Sequence, residues 1–201
     1  QMARIGAIHL APGIEKLNGW GFLFAMFFVG ILAPFINFAH PYSLSEHRAI
    51  PKAEQGAVSG DLAFWSEVVM VLLTGIMGAW SDRVGRRFVF AFGLAVVGVS
   101  YLLYPLAESY QELLFYRLVY ALGMAAIGAM SIALMSEYPE NRSRGKLAAL
   151  VGVLSTFGVM FVVAVLAPLP AKFVEGGASA IEAGRYAYWL AGGIGLAGTP
   201  V

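Results

Sequence analysis

Residues 78–87 read G-A-W-S-D-R-V-G-R-R. One apolar stretch, 62–81, runs into this segment and a second, 88–107, runs out of it; the only charge within either is Glu67. A hydrocarbon core of ~30 Å takes about 20 helical residues, so the segment is a short polar turn between two stretches long enough to span a bilayer. Outward from it lie further windows of the same kind. Residues 19–39 and 147–167 carry no charge, and 113–136 carries only Arg117. Residues 186–201 are uncharged but number only 16, which suggests that the chain is cut in or just after a sixth span. The composition agrees: 59% hydrophobic, 12% charged and a mean hydropathy of +0.74. Soluble domains carry about 45–50% apolar and ~25% charged residues. The expectation is an all-α membrane protein, a six-transmembrane-helix bundle preceded by an N-terminal segment, 1–18.

Several classes of function are excluded at this level. A net charge of +1 leaves no basic stripe for a phosphate backbone, so nucleic acid is not an expected partner. There is no cysteine, hence no disulfide framework or thiolate chemistry. His9, His40 and His47 offer no helical ligand pair, so no metal is expected. No phosphate-cradling G-x-x-x-x-G-K-[ST] loop and no constellation of nucleophile, base and orienting group is present, which argues against an ATPase or another enzyme and implies no cofactor.

Basic residues set the expected orientation. Arg4, Lys16, Arg83, Arg86, Arg87, Arg142, Arg144 and Lys146 fall on one side, against Arg48, Lys52, Lys172 and Arg185 on the other. The positive-inside rule then puts both termini in the cytoplasm, at the inner membrane if the source is bacterial. Two long outer connections are expected, 40–61 and 168–185. The connection 106–112 is short, so spans three and four should pack as an antiparallel hairpin.

Within residues 78–87, Gly78 admits a neighbouring backbone, Asp82 marks where the helix leaves the membrane, and Gly85 permits a tight turn. Arg83, Arg86 and Arg87 face anionic headgroups. On composition alone the segment could be a loop that only fixes topology. Its order, however, closely resembles G-x-x-x-D-R-x-G-R-R, the signature between the second and third helices of the major facilitator superfamily, and every fixed position is present. The resemblance extends to the whole chain as the N-terminal six-helix half of a twelve-helix fold. It implies that Asp82 faces a helix N-terminus in the other half, and that Arg86 bridges Asp82 to an acidic residue at the end of span four, for which Glu137 is the candidate. Such a cluster would latch the halves together while the site is open outward. Arg117 resembles the arginine the family carries in the outer third of its fourth helix, although Ala121 stands where the family has glycine. The R-G-K step at Arg144–Lys146 is similar to the family's next connection. Residues 152–158, G-V-L-S-T-F-G, depart from the G-P-x-x-G-G of the drug/proton antiporter branch.

Ionisable groups at membrane depth cost roughly 2.5–3.5 kcal/mol and persist only with a partner or a wet cavity. Glu67 and Arg117 each lie about five residues inside the outer ends of their spans, so their depths match and they could pair, either as a proton or substrate switch or as a static ion pair. Asp61 at the membrane edge reads as a solvated or capping residue. Tyr120 and Met124 share a stripe with Arg117 and could line a cavity or simply pack. Ala121, Ala125, Ala129 and Ala133 form a ridge for close helix contact. Asn37, one turn beyond Pro34, is the strongly polar residue of span one, and a local kink is expected there. Trp20, Trp65 and Trp189 read as interfacial anchors.

The leading expectation is half of a secondary transporter, in which a small-molecule solute binds near the midplane and access alternates with proton coupling. A non-transporting six-span scaffold or accessory subunit is the alternative. Either way one face must be covered, by the missing second six-helix half, a second copy or a larger membrane complex, with the lipid bilayer around the remainder.

Overall fold

The computed structural model describes residues 4–42 and 52–199. Two short strands, β1 (Arg4–Ile5) and β2 (Ile8–His9), are followed by α1 (Lys16–Tyr42), α2 (Lys52–Val84), α3 (Arg86–Leu103), α4 (Tyr110–Glu137), α5 (Arg144–Phe161), α6 (Leu169–Glu175) and α7 (Ala180–Ala197). Among the described residues, five helical stretches are long and apolar enough to cross a membrane: Lys16–His40, Ala53–Val84, Arg86–Leu106, Tyr110–Glu137 and Asn141–Glu175. The expected sixth, 186–201, overlaps α7, whose 18 residues begin earlier, end at Ala197 and include Glu182 and Arg185. His47 and Arg48 lie outside the described residues.

Several boundaries differ from the sequence reading for reasons the chain supplies. The helix α1 starts at Lys16 and runs unbroken through Pro34 to Tyr42. Residues 52–61, expected as loop, are the first turns of α2, because Lys52, Ala53, Glu54 and Gln55 are good helix formers without being apolar. Asp61 is thus no cap; its carboxylate accepts a hydrogen bond from the Tyr110 hydroxyl. The apolar run 147–167 is continuous in composition, yet α5 ends at Phe161 and gives way to a π-turn over Val162–Leu166. At the other end of the expected loop 168–185, Ser179 caps α7: its hydroxyl accepts the Glu182 N–H while the Glu182 carboxylate accepts the Ser179 N–H.

The α2–α3 junction turns on Gly85, which has φ of +97°, a conformation that carries little cost only without a Cβ. Its N–H closes α2 on the Ser81 carbonyl. On the opposite side Ser109 caps α4 by accepting the Glu112 N–H, so α3 and α4 form the expected antiparallel hairpin.

Lipid tails offer no hydrophobic drive for helix association, so close packing must come from small residues at the crossings. The described residues show three such places. At α3–α4, a Cβ on Gly93 would lie 2.9 Å from the Gly123 carbonyl oxygen. At α1–α5, a Cβ on Gly158 would lie 2.6 Å from the Gly30 carbonyl carbon. At α3–α7, a Cβ on Gly192 would lie 2.9 Å from the Gly98 oxygen. The α3–α4 approach runs through Gly123 and Ala126. Beside it, Phe35, Tyr101, Tyr104 and Tyr188 form a buried aromatic cluster joining α1, α3 and α7, with Tyr104 and Tyr188 stacked at 5.3 Å.

Burial is uneven. Half or more of the apolar windows of α1, α3 and α4 is buried, but only 17% of that of α2 and 22% of that spanning α5 and α6. One side of α2 is open: Glu67, Gly75 and Asp82 are exposed, and nothing lies within 4 Å of a Cβ built on Gly75 or Gly78.

Candidate functional site

Two groups of polar residues stand at opposite ends of the bundle. At the α2–α3 end, Asp82 is in the last turn of α2 and Arg86 is the first residue of α3, one helical turn on. Glu137 ends α4. The Arg86 Nη2 lies 2.5 Å from Glu137 Oε1 and 3.7 Å from Asp82 Oδ1, with Arg86 the most enclosed of the three. Arg86 is thus shared between two carboxylates from different helices. Arg83 and Arg87 are exposed and join no ion pair among the described residues. Arg87 borders a groove of ≈ 340 Å³ between α1, α3 and α4, with Asn18, Phe22, Phe90 and Tyr138 among its walls.

The other group surrounds Arg117, 8% exposed and two turns into α4. Its Nε donates to Ser66 Oγ at 3.1 Å and its Nη2 to Asn37 Oδ1 at 3.3 Å. Its guanidinium carbon sits 5.3 Å from the centre of the Tyr120 ring, within cation–π range. Its Nη1 is buried without a hydrogen-bond partner among the described residues. Ser66 in turn donates to the Leu62 carbonyl at 2.6 Å. The Tyr120 hydroxyl donates to the Ala33 carbonyl at 3.0 Å and that of Tyr101 to Leu32, so two tyrosines anchor α1 just before Pro34.

Arg117, Asn37 and Tyr120 therefore come together, but Glu67 does not join them. No ion pair links Glu67 to Arg117 among the described residues, and Glu67 is exposed. The matching of depths omitted rotation about the helix axis. Adjacent residues point about 100° apart, so α2 turns Ser66 inward and Glu67 to its open side. Ser66, the partner the sequence reading missed, carries no charge to draw attention; its signal was its place beside Glu67 at the depth of Arg117. Met124 is half-buried and Ser131, on the same stripe, donates to the Ile127 carbonyl.

Residues 9–201 match the Major Facilitator Superfamily, and the chain belongs to that family. Together with its long apolar helices, this makes it an integral membrane protein. Among curated proteins it is similar to the magnetosome protein MamH of Paramagnetospirillum magneticum, with 27% identity over 124 residues, 58% of this chain and 29% of that protein. It is also similar to the inner membrane transport protein YajR of Escherichia coli, with 34% identity over 93 residues, 46% of this chain and 20% of that protein. The matched stretch thus spans less than a third of these relatives' length.

Proposed function

We propose that this chain is the N-terminal six-helix half of a secondary transporter that moves a small solute by alternating access, with proton coupling. In this reading residues 186–201 are the sixth span, both termini are cytoplasmic, and the membrane is the inner one if the source is bacterial. The open side of α2 meets the second half. Arg117, Asn37, Tyr120 and Met124 face the solute pathway, and Glu67 is the carboxylate that exchanges a proton there.

The observation that carries the proposal is the Arg86 bridge. A guanidinium shared between Asp82 and Glu137 ties the α2–α3 turn to the end of α4, while Asp82, the more exposed carboxylate, remains available to a helix N-terminus whose positive end favours it. Such a contact holds the two halves together at this end and must break for the pathway to open there. The transporter-named relative supports transport as the general activity.

The test uses one introduced cysteine: residues 1–201 contain none, and any cysteine elsewhere in the intact protein is first replaced. Gly128→Cys, at a position with open space, reports accessibility midway along α4. In the intact protein, Asp82→Asn should raise its labelling by an impermeant maleimide applied from the Asp82 side. Labelling that stays the same from both sides would refute the latch.

A further inference from the structure

Within the expected cytoplasmic N-terminal segment, 1–18, residues 4–11 are folded. The strands β1 and β2 pair antiparallel, Arg4 with His9 and Ile5 with Ile8, about a turn in which Gly6 has φ of +55°. Ile5, Ile8 and Leu10 are buried, and Ile5 packs on Gly19 in the first turn of α1. Beyond the hairpin the chain pairs with the α4–α5 connection. The Ala11 N–H donates to the Tyr138 carbonyl at 2.8 Å, the Glu140 N–H to the His9 carbonyl at 2.9 Å, and Leu10 bridges Pro139. The His9 N–H donates to Ser143 Oγ at 3.0 Å, and Lys146 Nζ to the Ala7 carbonyl at 3.3 Å. Tyr138 is wedged edge-on against Phe22 of α1. Two chain segments more than 120 residues apart are thus joined by backbone hydrogen bonds, immediately after Glu137.

We infer that residues 4–11 are a clasp that holds the α4–α5 connection against the start of α1 and thereby positions Glu137 for Arg86. Glu137 is the last residue of α4, where a helix frays unless its end is tied. The tie is at Tyr138, whose carbonyl accepts the Ala11 N–H. With the clasp engaged, α1, α4 and α5 move as one body at this end. With it released, Glu137 loses the fixed backbone that keeps its carboxylate 2.5 Å from Arg86. This inference concerns the geometry of the bundle and does not depend on what the protein transports.

The test uses the intact protein in detergent with two variants. Ser143→Ala removes the acceptor of the His9 N–H, and Ala11→Pro removes the donor to Tyr138. Loss of one buried hydrogen bond changes a local opening equilibrium about tenfold. Each variant should therefore speed amide exchange at Glu140, and tryptic cleavage after Arg142 and Arg144, by about that factor, with exchange along the α3–α4 contact unchanged. The decisive measurement is a double-mutant cycle on melting temperature between Arg86→Ala and Glu137→Ala: non-additive in the parent, additive in the Ser143→Ala background. Unchanged exchange, or a coupling that survives release of the clasp, overturns the proposal. So does exchange rising equally throughout the bundle, because the hairpin would then be an ordinary part of the fold.

Discussion

Arg86 and Glu137 face each other at 2.5 Å across the ends of α3 and α4, with Asp82 held at 3.7 Å from the same guanidinium nitrogen. The two contacts are unequal. The one to Glu137 is a close, charge-assisted contact, while the one to Asp82 lies beyond hydrogen-bond distance. Arg86 is therefore held mainly by Glu137, and the looser contact leaves much of the Asp82 carboxylate exposed.

Stability and conformational balance should separate at this cluster. All three side chains are about a third or more exposed, and such pairs are worth ~0.2–1 kcal/mol. Asp82→Asn and Glu137→Gln should each leave the melting temperature in detergent within a few degrees of the parent. Both should shift maleimide access to Gly128→Cys, and solute uptake by the intact transporter should fall. A large drop in melting temperature for either would assign the cluster to folding instead.

At the α1–α5 crossing, Gly158 and Gly152 are two glycines on one helix in opposite situations. A methyl on Gly158 would meet the Gly30 carbonyl carbon at 2.6 Å, and backbone cannot step aside as a flexible side chain can. A methyl on Gly152 meets nothing within 4 Å. Gly158→Ala should cost ~1–3 kcal/mol through overpacking, and Gly152→Ala should be neutral or stabilise by up to about 1 kcal/mol through helix propensity. Melting temperatures of the two variants side by side decide it; equal losses would mean that α5 does not approach α1 at Gly158.

The contrast between these predictions reflects what was legible in the sequence. Residues 78–87 announced the turn and the charge cluster, because charge in an apolar chain is conspicuous and its order is specific. The five long apolar helices were readable from hydropathy, but their ends were not. Hydropathy reports what can sit in lipid, whereas a helix may run on through polar residues, as α2 does over 52–61, or change to a π-turn within an apolar run, as at Val162–Leu166. Depth along a helix was countable, so Arg117 could be placed. Azimuth was not, because α2 is apolar on most sides and its pattern does not say which face is covered, so Ser66 was overlooked in favour of Glu67. The N-terminal hairpin was the least legible, since pairing between residues 9–11 and 138–140 leaves no local pattern.

The cap of α7 carries a pH dependence that can be signed. Hydrogen bonds from the Ser179 hydroxyl and backbone N–H hold the Glu182 carboxyl below its usual range, with Arg185 adding to the effect. A carboxylate lowered in the folded state contributes stability that is fully present above its unfolded value and is lost as pH falls through its folded one. Amide exchange in the first turn of α7 should therefore quicken, beyond its intrinsic pH dependence, only on the acid side of the ordinary carboxylate range. Glu182→Gln should remove most of this excess response. An identical acid response in the variant would place its origin elsewhere.

Arg117 provides the sharpest test, because its partners are neutral. Ser66 and Asn37 accept from two different nitrogens of one planar fork, and Tyr120 supplies a ring face. A lysine ammonium is a single point and cannot reach both oxygens in the directions the guanidinium does. Arg117→Lys should thus lose about one charged hydrogen bond, ~1.5–3 kcal/mol, and lower folded yield and melting temperature. Glu67 is exposed and forms no ion pair with the guanidinium among the described residues, so Glu67→Gln should fall within about 0.5 kcal/mol of the parent. The two substitutions should then add, within the ~0.3–0.5 kcal/mol typical of independent sites. Melting temperatures of the parent, both single variants and the double variant measure this directly. A clear coupling between them would mean that the Glu67 side chain swings inward to pair with Arg117, and the Ser66–Asn37 fork would then be only one of two resting places for the charge.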